Sequence, residues 1–165
     1  MYGIRRKIAA SVLALAGAAA GGLFSAPPAS ASVVYSAIVN RVSGMCLDVP
    51  GGTTENKKAV QQYHCNGGPN QQWEFIPGAQ PGYGQLRNVA SQKCLDVRDE
   101  ALYPGAVVQQ YTCHDKTNQQ WTFTSGGTLQ VLHSGGCARA VGLAYKDGVQ
   151  QGVCTWGYIF WDVRY

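Results

Sequence analysis

The sequence predicts an all-β domain of three pseudo-repeats closed on itself, preceded by a cleavable leader. Three observations carry this reading. The chain has 165 residues, the length of one domain. A pattern of cysteines, Val-Gln-Gln segments and tryptophans returns at an offset of 48 residues and then a third time in eroded form. Between these landmarks, short apolar alternations are broken by Gly, Asn and Asp, with no helix-length 3.6 period.

Residues 1–31 read as a secretory signal peptide. Arg5-Arg6-Lys7 forms a positive n-region, Ile8 to Ala20 an apolar run, and Ala29-Ser30-Ala31 a small-residue cleavage pattern, with the cut before Ser32. The run is short for a membrane anchor and no polar-flanked stop follows it. The leader holds three of the chain's four net positive charges, so residues 32–165 carry only +1. Phosphate neutralisation needs a basic face, so no nucleic-acid partner is expected. Only 13% of residues are charged and 45% are hydrophobic, which excludes disorder. No later stretch offers the ~20 apolar residues of a membrane span. The expectation is a secreted, extracellular monomer.

Repeat one, about residues 33–78, carries Cys46-Leu47-Asp48-Val49, then Val60-Gln61-Gln62-Tyr63 before Cys65, then Asn70-Gln71-Gln72-Trp73. Repeat two, about 79–126, carries Cys94-Leu95-Asp96-Val97, Val108-Gln109-Gln110-Tyr111 before Cys113, and Asn118-Gln119-Gln120-Trp121. Repeat three, about 127–165, keeps Cys137-Ala138-Arg139-Ala140, Val149-Gln150-Gln151-Gly152 before Cys154, and Trp161. An even cysteine count in a secreted chain implies disulfides. Of the 15 pairings that six cysteines allow, the repeat selects Cys46–Cys65, Cys94–Cys113 and Cys137–Cys154. Each closes a loop of about 20 residues, worth ~3 kcal/mol by chain entropy. The cysteines of each repeat lie 17 to 19 apart and no Cys-x2–4-Cys pair occurs, so no metal site and no cofactor are expected. Three repeats are too few for a propeller of 4–8 blades. A single closed body removes the exposed sheet edges.

Alternation assigns the faces. Leu47 and Val49 share one face, directed to the core, and Cys46 and Asp48 the other. If Cys46 and Cys65 stand directly opposite on antiparallel strands, Asp48 falls across from Tyr63, and Asp96 across from Tyr111. The tryptophans at 73, 121 and 161 occur in all three repeats and read as core packing; Trp156 has no counterpart and reads as partly buried.

One carboxylate, one aromatic ring and several amides per repeat suit a pyranose. A carboxylate accepts hydroxyl hydrogens through charge-assisted bonds. An aromatic face stacks on the apolar face of the ring. Asn and Gln donate and accept, as hydroxyls do. The sets are Asp48, Gln61, Tyr63, Asn70 and Gln71 in repeat one, and Asp96, Gln109, Tyr111, Asn118 and Gln119 in repeat two.

These segments, above all Gln71-x-Trp73 and Gln119-x-Trp121, resemble the ricin B-chain-type lectins, and most closely the family 13 carbohydrate-binding modules of secreted bacterial glycosidases. The resemblance covers nearly all of residues 33–165. It implies a β-trefoil of twelve strands with a sugar pocket in each repeat, built from the ten residues just named, and carbohydrate partners of the galactose, lactose or xylan type. Repeat three departs from it. Arg139, Gly152 and Tyr158-Ile159 replace the acid, the aromatic residue and the Asn-Gln, so the third pocket is expected to fold without binding sugar.

Catalysis is not expected. Glycoside hydrolysis needs two carboxylates ~5–9.5 Å apart, whereas Asp48 and Asp96 belong to different repeats. His64, His114 and His133 do not recur at one repeat position, and no Gly-x-Ser-x-Gly occurs. The module is expected to act alone, without an attached catalytic domain or linker. The competing reading is a trefoil that recognises proteins, such as a protease inhibitor, which does not require the Asp, Tyr and Asn-Gln set.

Overall fold

Each repeat spells four short strands because its apolar alternations last only three to six residues before a turn residue interrupts them. The computed structural model describes residues 35–155 and 157–165. The leader assigned to residues 1–31 and the burial expected of Trp156 lie outside the described residues.

In repeat one the strands are β1 (Tyr35–Asn40), β2 (Cys46–Asp48), β3 (Lys58–Ala59), β4 (Gln61–Tyr63) and β5 (Gln72–Pro77). Repeat two supplies β6 (Gly84–Asn88), β7 (Cys94–Val97), β8 (Val108–Tyr111) and β9 (Trp121–Phe123). Repeat three supplies β10 (Leu129–Val131), β11 (Cys137–Ala140), β12 (Val149–Gly152) and β13 (Trp161–Arg164). Twelve strands are expected and thirteen are found among the described residues, because the third strand of repeat one is interrupted at Val60. There the backbone turns to the neighbouring hairpins: Val60 N–H donates to the Val108 carbonyl, and Val149 N–H donates to that of Val60.

The first and last strands of the repeats close a barrel. Antiparallel pairing runs from β13 to β1, β5, β6, β9 and β10 in turn. The ring is completed by the Thr128–Phe160 bridge and by Trp161 N–H donating to the Gly127 carbonyl. Gly84 permits the crowding at one crossing, since a Cβ there would stand 2.4 Å from the Ile76 carbonyl oxygen. The middle strands form the hairpins β2–β4, β7–β8 and β11–β12. These join one another through β3–β8 and the bridges Gln61–Gly148 and Val107–Gln150. The result is a β-trefoil.

The core repeats with the sequence. Trp73, Trp121 and Trp161 are buried. Their indole N–H groups donate to the carbonyls of Leu47, Leu95 and Ala138 at 3.1, 2.9 and 2.9 Å. Each tryptophan thus fills the interior while tying the last strand of a repeat to its second. The disulfides are Cys46–Cys65, Cys94–Cys113 and Cys137–Cys154, as the repeat predicts.

Candidate functional site

The register differs from the expected one. Cys46 pairs with Tyr63 and Asp48 with Gln61; likewise Cys94 pairs with Tyr111 and Asp96 with Gln109. The ladder ends at Tyr63, and Cys65 lies beyond it on the outgoing turn, so the two half-cystines are not strand partners. The carboxylate therefore faces a glutamine rather than the tyrosine. The division of faces is also corrected. All four residues from Cys46 to Val49, and from Cys94 to Val97, are buried. Asp48 and Asp96 are each 2% exposed. One face meets the barrel core, and the other lies beneath a second polar layer.

That layer is built twice. Asp48 Oδ1 accepts from Gln61 Nε2 at 2.8 Å, and Oδ2 accepts from Asn70 Nδ2 at 2.7 Å and Gln71 Nε2 at 3.1 Å. In repeat two, Asp96 Oδ1 accepts from Gln109 Nε2 at 2.8 Å, and Oδ2 accepts from Asn118 Nδ2 at 2.9 Å and Gln119 Nε2 at 3.0 Å. The Asn-Gln pairs reach the acids from short 3-10 turns, Pro69–Gln71 and Thr117–Gln119, at the entrance to the last strand. A carboxylate offers about four lone-pair positions. Three are occupied by amides, which leaves one on Oδ1 of each acid.

The ten predicted residues divide by what they can reach. Asp48, Gln61, Tyr63 and Asn70 line a depression of ≈ 680 Å³. Asp96, Gln109, Tyr111 and Asn118 line a second of ≈ 240 Å³, whose rim carries the Lys116–Glu100 ion pair and His114. Gln71 and Gln119 lie beneath, at 1% and 0% exposure. Gln71 donates to the His64 carbonyl and accepts from Asn66 N–H; Gln119 donates to the Thr112 carbonyl and accepts from His114 N–H. Both amides are spent within the protein and position the acid and the loop around it. Tyr63 and Tyr111 are half-buried. The hydroxyls of Tyr63 and Tyr145 are hydrogen-bonded at 2.6 Å, and this bond holds the Tyr63 phenol above its ordinary pKa. Burial pushes the Asp96 carboxyl up, against the pull of Gln119, Gln109, the His114 charge and Asn118.

Sequence reasoning missed the second glutamine of each Val-Gln-Gln. Gln62, Gln110 and Gln151 are buried and each clamps the preceding loop of a neighbouring repeat. The signal was present: this residue survives in repeat three with the cysteines and Trp161, where, Gln150 apart, the pocket residues do not.

In repeat three Arg139 pairs with Gln150, in the same register as Asp48 with Gln61. Its side chain lies against Gly152 and Gly157, whose Cβ atoms would stand 3.4 and 3.0 Å from Arg139 Cδ. Ile159 occupies the place of the buried Gln71 and is itself 1% exposed. The substitutions are physically coupled. Without the carboxylate, a buried amide would lose an acceptor, and an apolar side chain avoids that penalty.

Among the described residues no group of three or more His, Cys, Asp or Glu is placed to hold a metal ion, and no helix is long and apolar enough to cross a membrane.

Comparison with solved structures places the fold among known trefoils. A designed three-fold symmetric protein, ThreeFoil, is 31% identical with TM-score 0.74, over 79% of this chain and 98% of its own. An exo-beta-1,3-galactanase from Clostridium thermocellum is 30% identical with TM-score 0.74, over 81% of this chain but only 30% of its own. A non-toxic homologue of type II RIPs from Momordica charantia, bitter gourd, solved with alpha-methyl-D-galactoside, is 24% identical with TM-score 0.66, over 79% of this chain and 47% of its own. No curated protein sequence matches. A family model described as Ricin-type beta-trefoil lectin domain matches residues 34–142 and, overlapping, 82–164. With both matches falling on the three repeats, their disulfides and their tryptophans, the chain belongs to the ricin-type beta-trefoil lectin domain family.

Proposed function

We propose that this chain is a secreted carbohydrate-binding module with two working pockets, in repeats one and two, and a degenerate third. The observation that carries the reading is the duplication of one network. An acid, two glutamines and an asparagine meet at matching distances beneath a tyrosine, and the third copy loses the acid, the tyrosine and the Asn-Gln pair together. In each working pocket the free lone pair of Asp48 or Asp96 accepts a sugar hydroxyl. Gln61 and Asn70, or Gln109 and Asn118, line the walls, and Tyr63 or Tyr111 offers its ring to the apolar face of the sugar. Gln71 and Gln119 position the acid from below.

The ligand class is galactose- or xylan-type sugar, and the module is closest in kind to the family 13 carbohydrate-binding modules of bacterial secreted enzymes. Likeness to a stretch of an exo-beta-1,3-galactanase supports the galactose-type reading. Release through the 1–31 leader fits a domain with three disulfides, which form and persist in oxidising compartments. The lectin family supplies binding rather than catalysis, and reducing-sugar release from bound polysaccharide is expected to be nil.

A glycan array followed by calorimetric titration tests the reading. Two sites are expected in the wild type and one in each of Asp48→Ala and Asp96→Ala, with Arg139→Ala unchanged. Three sites, or loss of one in Arg139→Ala, overturns the assignment of repeat three.

A further inference from the structure

Each pocket is completed by a loop of the preceding repeat in the ring, and one residue of that loop occupies equivalent positions three times. Lys57, Gly105 and Lys146 each stand eight residues before the second cysteine of their repeat. Their backbone N–H groups donate to the carbonyls of Gln110, Gln151 and Gln62 at 3.0, 2.7 and 3.0 Å. All three have left-handed backbone, with φ of 63°, 99° and 68°. Lys146 lines the repeat-one pocket and Lys57 the repeat-two pocket, while Gly105 lines the hollow beside Arg139 where the polar set is lost.

Left-handed backbone favours glycine, because a Cβ crowds the following carbonyl. The degenerate repeat has glycine there; both intact pockets have lysine. Backbone strain is thus retained at the two positions where a cation would meet a ligand. Neither ammonium is neutralised by a salt bridge among the described residues. Lys146 Nζ lies 4.9 Å from the ring centroid of Tyr145, which is bonded to Tyr63 at the pocket edge.

We propose that Lys57 and Lys146 are specificity-determining residues that make both pockets prefer sugars bearing a negative group, a uronate carboxylate or a sulfate ester. The inference rests on the carbohydrate-binding reading above and adds the charge of the ligand to it.

The test pairs neutral with charged ligands in calorimetry: galactose against galacturonate and galactose 6-sulfate, and xylotetraose against its glucuronate-substituted form. The proteins are wild type and the double variant Lys57→Gly/Lys146→Gly, which installs the residue already present in repeat three. The wild type is expected to bind a charged member about fivefold tighter at low salt, the upper range of an exposed ion pair. The preference should vanish in 1 M salt, where the screening length is about 3 Å. It should vanish equally in the variant, which is expected to bind charged and neutral sugars alike and to melt at an equal or higher temperature. Preference for the uronates alone assigns the carboxylate, and for the sulfate alone the ester. Equal binding of charged and neutral sugars by the wild type, or a preference that survives in the variant, overturns the proposal and leaves the lectin reading standing. Failure of the wild type to bind any of these sugars counts against both.

Discussion

Asp48 and Asp96 hold the fold as well as lining the proposed pockets, since each accepts from three amide groups. Asp48→Ala is therefore expected to do more than close a sugar site. It strands buried donors, and urea unfolding should show a loss of about 1–3 kcal/mol. Repeat three supplies the remedy. In Asp48→Ala/Gln71→Ile, part of that stability should return while sugar binding stays absent, because the other partners of Gln71 belong to the exposed His64 and Asn66, where water can replace it. A double variant no more stable than the single would refute the coupling of acid and amide. Asp96 carries a pH prediction as well. Burial raises its pKa, so in the fold the ionised form is the unfavourable one. Its contribution to stability is complete below the ordinary aspartate value of ~3.9 and fades as pH rises through the raised native value. Sugar binding runs the other way, because a proton takes the one lone pair that the three amides leave free, the one assigned to the sugar hydroxyl. In Asp48→Ala, which keeps only the second pocket, titrations across the acidic range should lose binding at a pH above ~3.9. Binding undiminished down to that value would count against a raised Asp96.

At the scale of elements, the hairpins are tied to their neighbours by the second glutamine of each Val-Gln-Gln. Gln110 Nε2 donates to the carbonyls of Thr53 and Glu55 at 2.8 and 2.7 Å, across 57 and 55 residues. Gln110→Ala should cost about 1–3 kcal/mol, and its local signature should appear in another repeat. Amide exchange is expected to quicken around residues 53–57, beside the second pocket, more than around Gln110 itself. Exchange confined to β8 would remove the clamp from the account. These contacts mark where the sequence was legible. Cysteine pairing and the buried tryptophans could be read because the repeat copies them in place. Register could not, because the disulfide does not join strand partners: the chain leaves the ladder at Tyr63, before Cys65. The depth of Gln71 and the clamps of Gln62, Gln110 and Gln151 also escaped notice. Their partners lie on other strands or other repeats, and periodicity along one strand carries no trace of them. Survival in the eroded repeat was the usable sign for the clamps: what persists without the pocket serves the fold.

At the scale of the whole molecule, three-fold closure sets the two proposed pockets on different repeats of one closed domain. A domain of 134 residues has a radius of gyration near ~14 Å, which puts the pockets ~20–30 Å apart. Each is a surface depression rather than a cavity, so a single site should bind weakly, on the order of 0.1–1 mM or roughly −4 to −5.5 kcal/mol. A polysaccharide presents many copies of its sugar, and once one pocket is filled the second encounter becomes intramolecular. Avidity can then exceed the one-site affinity by ~10²-fold, provided the chain reaches both pockets. Several sugar units are needed to cover that distance, so a long polymer or a dense glycan surface can bridge the sites and a disaccharide cannot. The predicted signature is asymmetric. Monosaccharide calorimetry on Asp48→Ala should show one site of nearly wild-type affinity, whereas retention on immobilised polysaccharide should fall steeply. Because Asp48→Ala also lowers stability, the double variant with Gln71→Ile is the better control for the comparison. Equal, mild losses in both assays would show that the pockets work independently, and that closure serves to stabilise the fold without coupling its two sites.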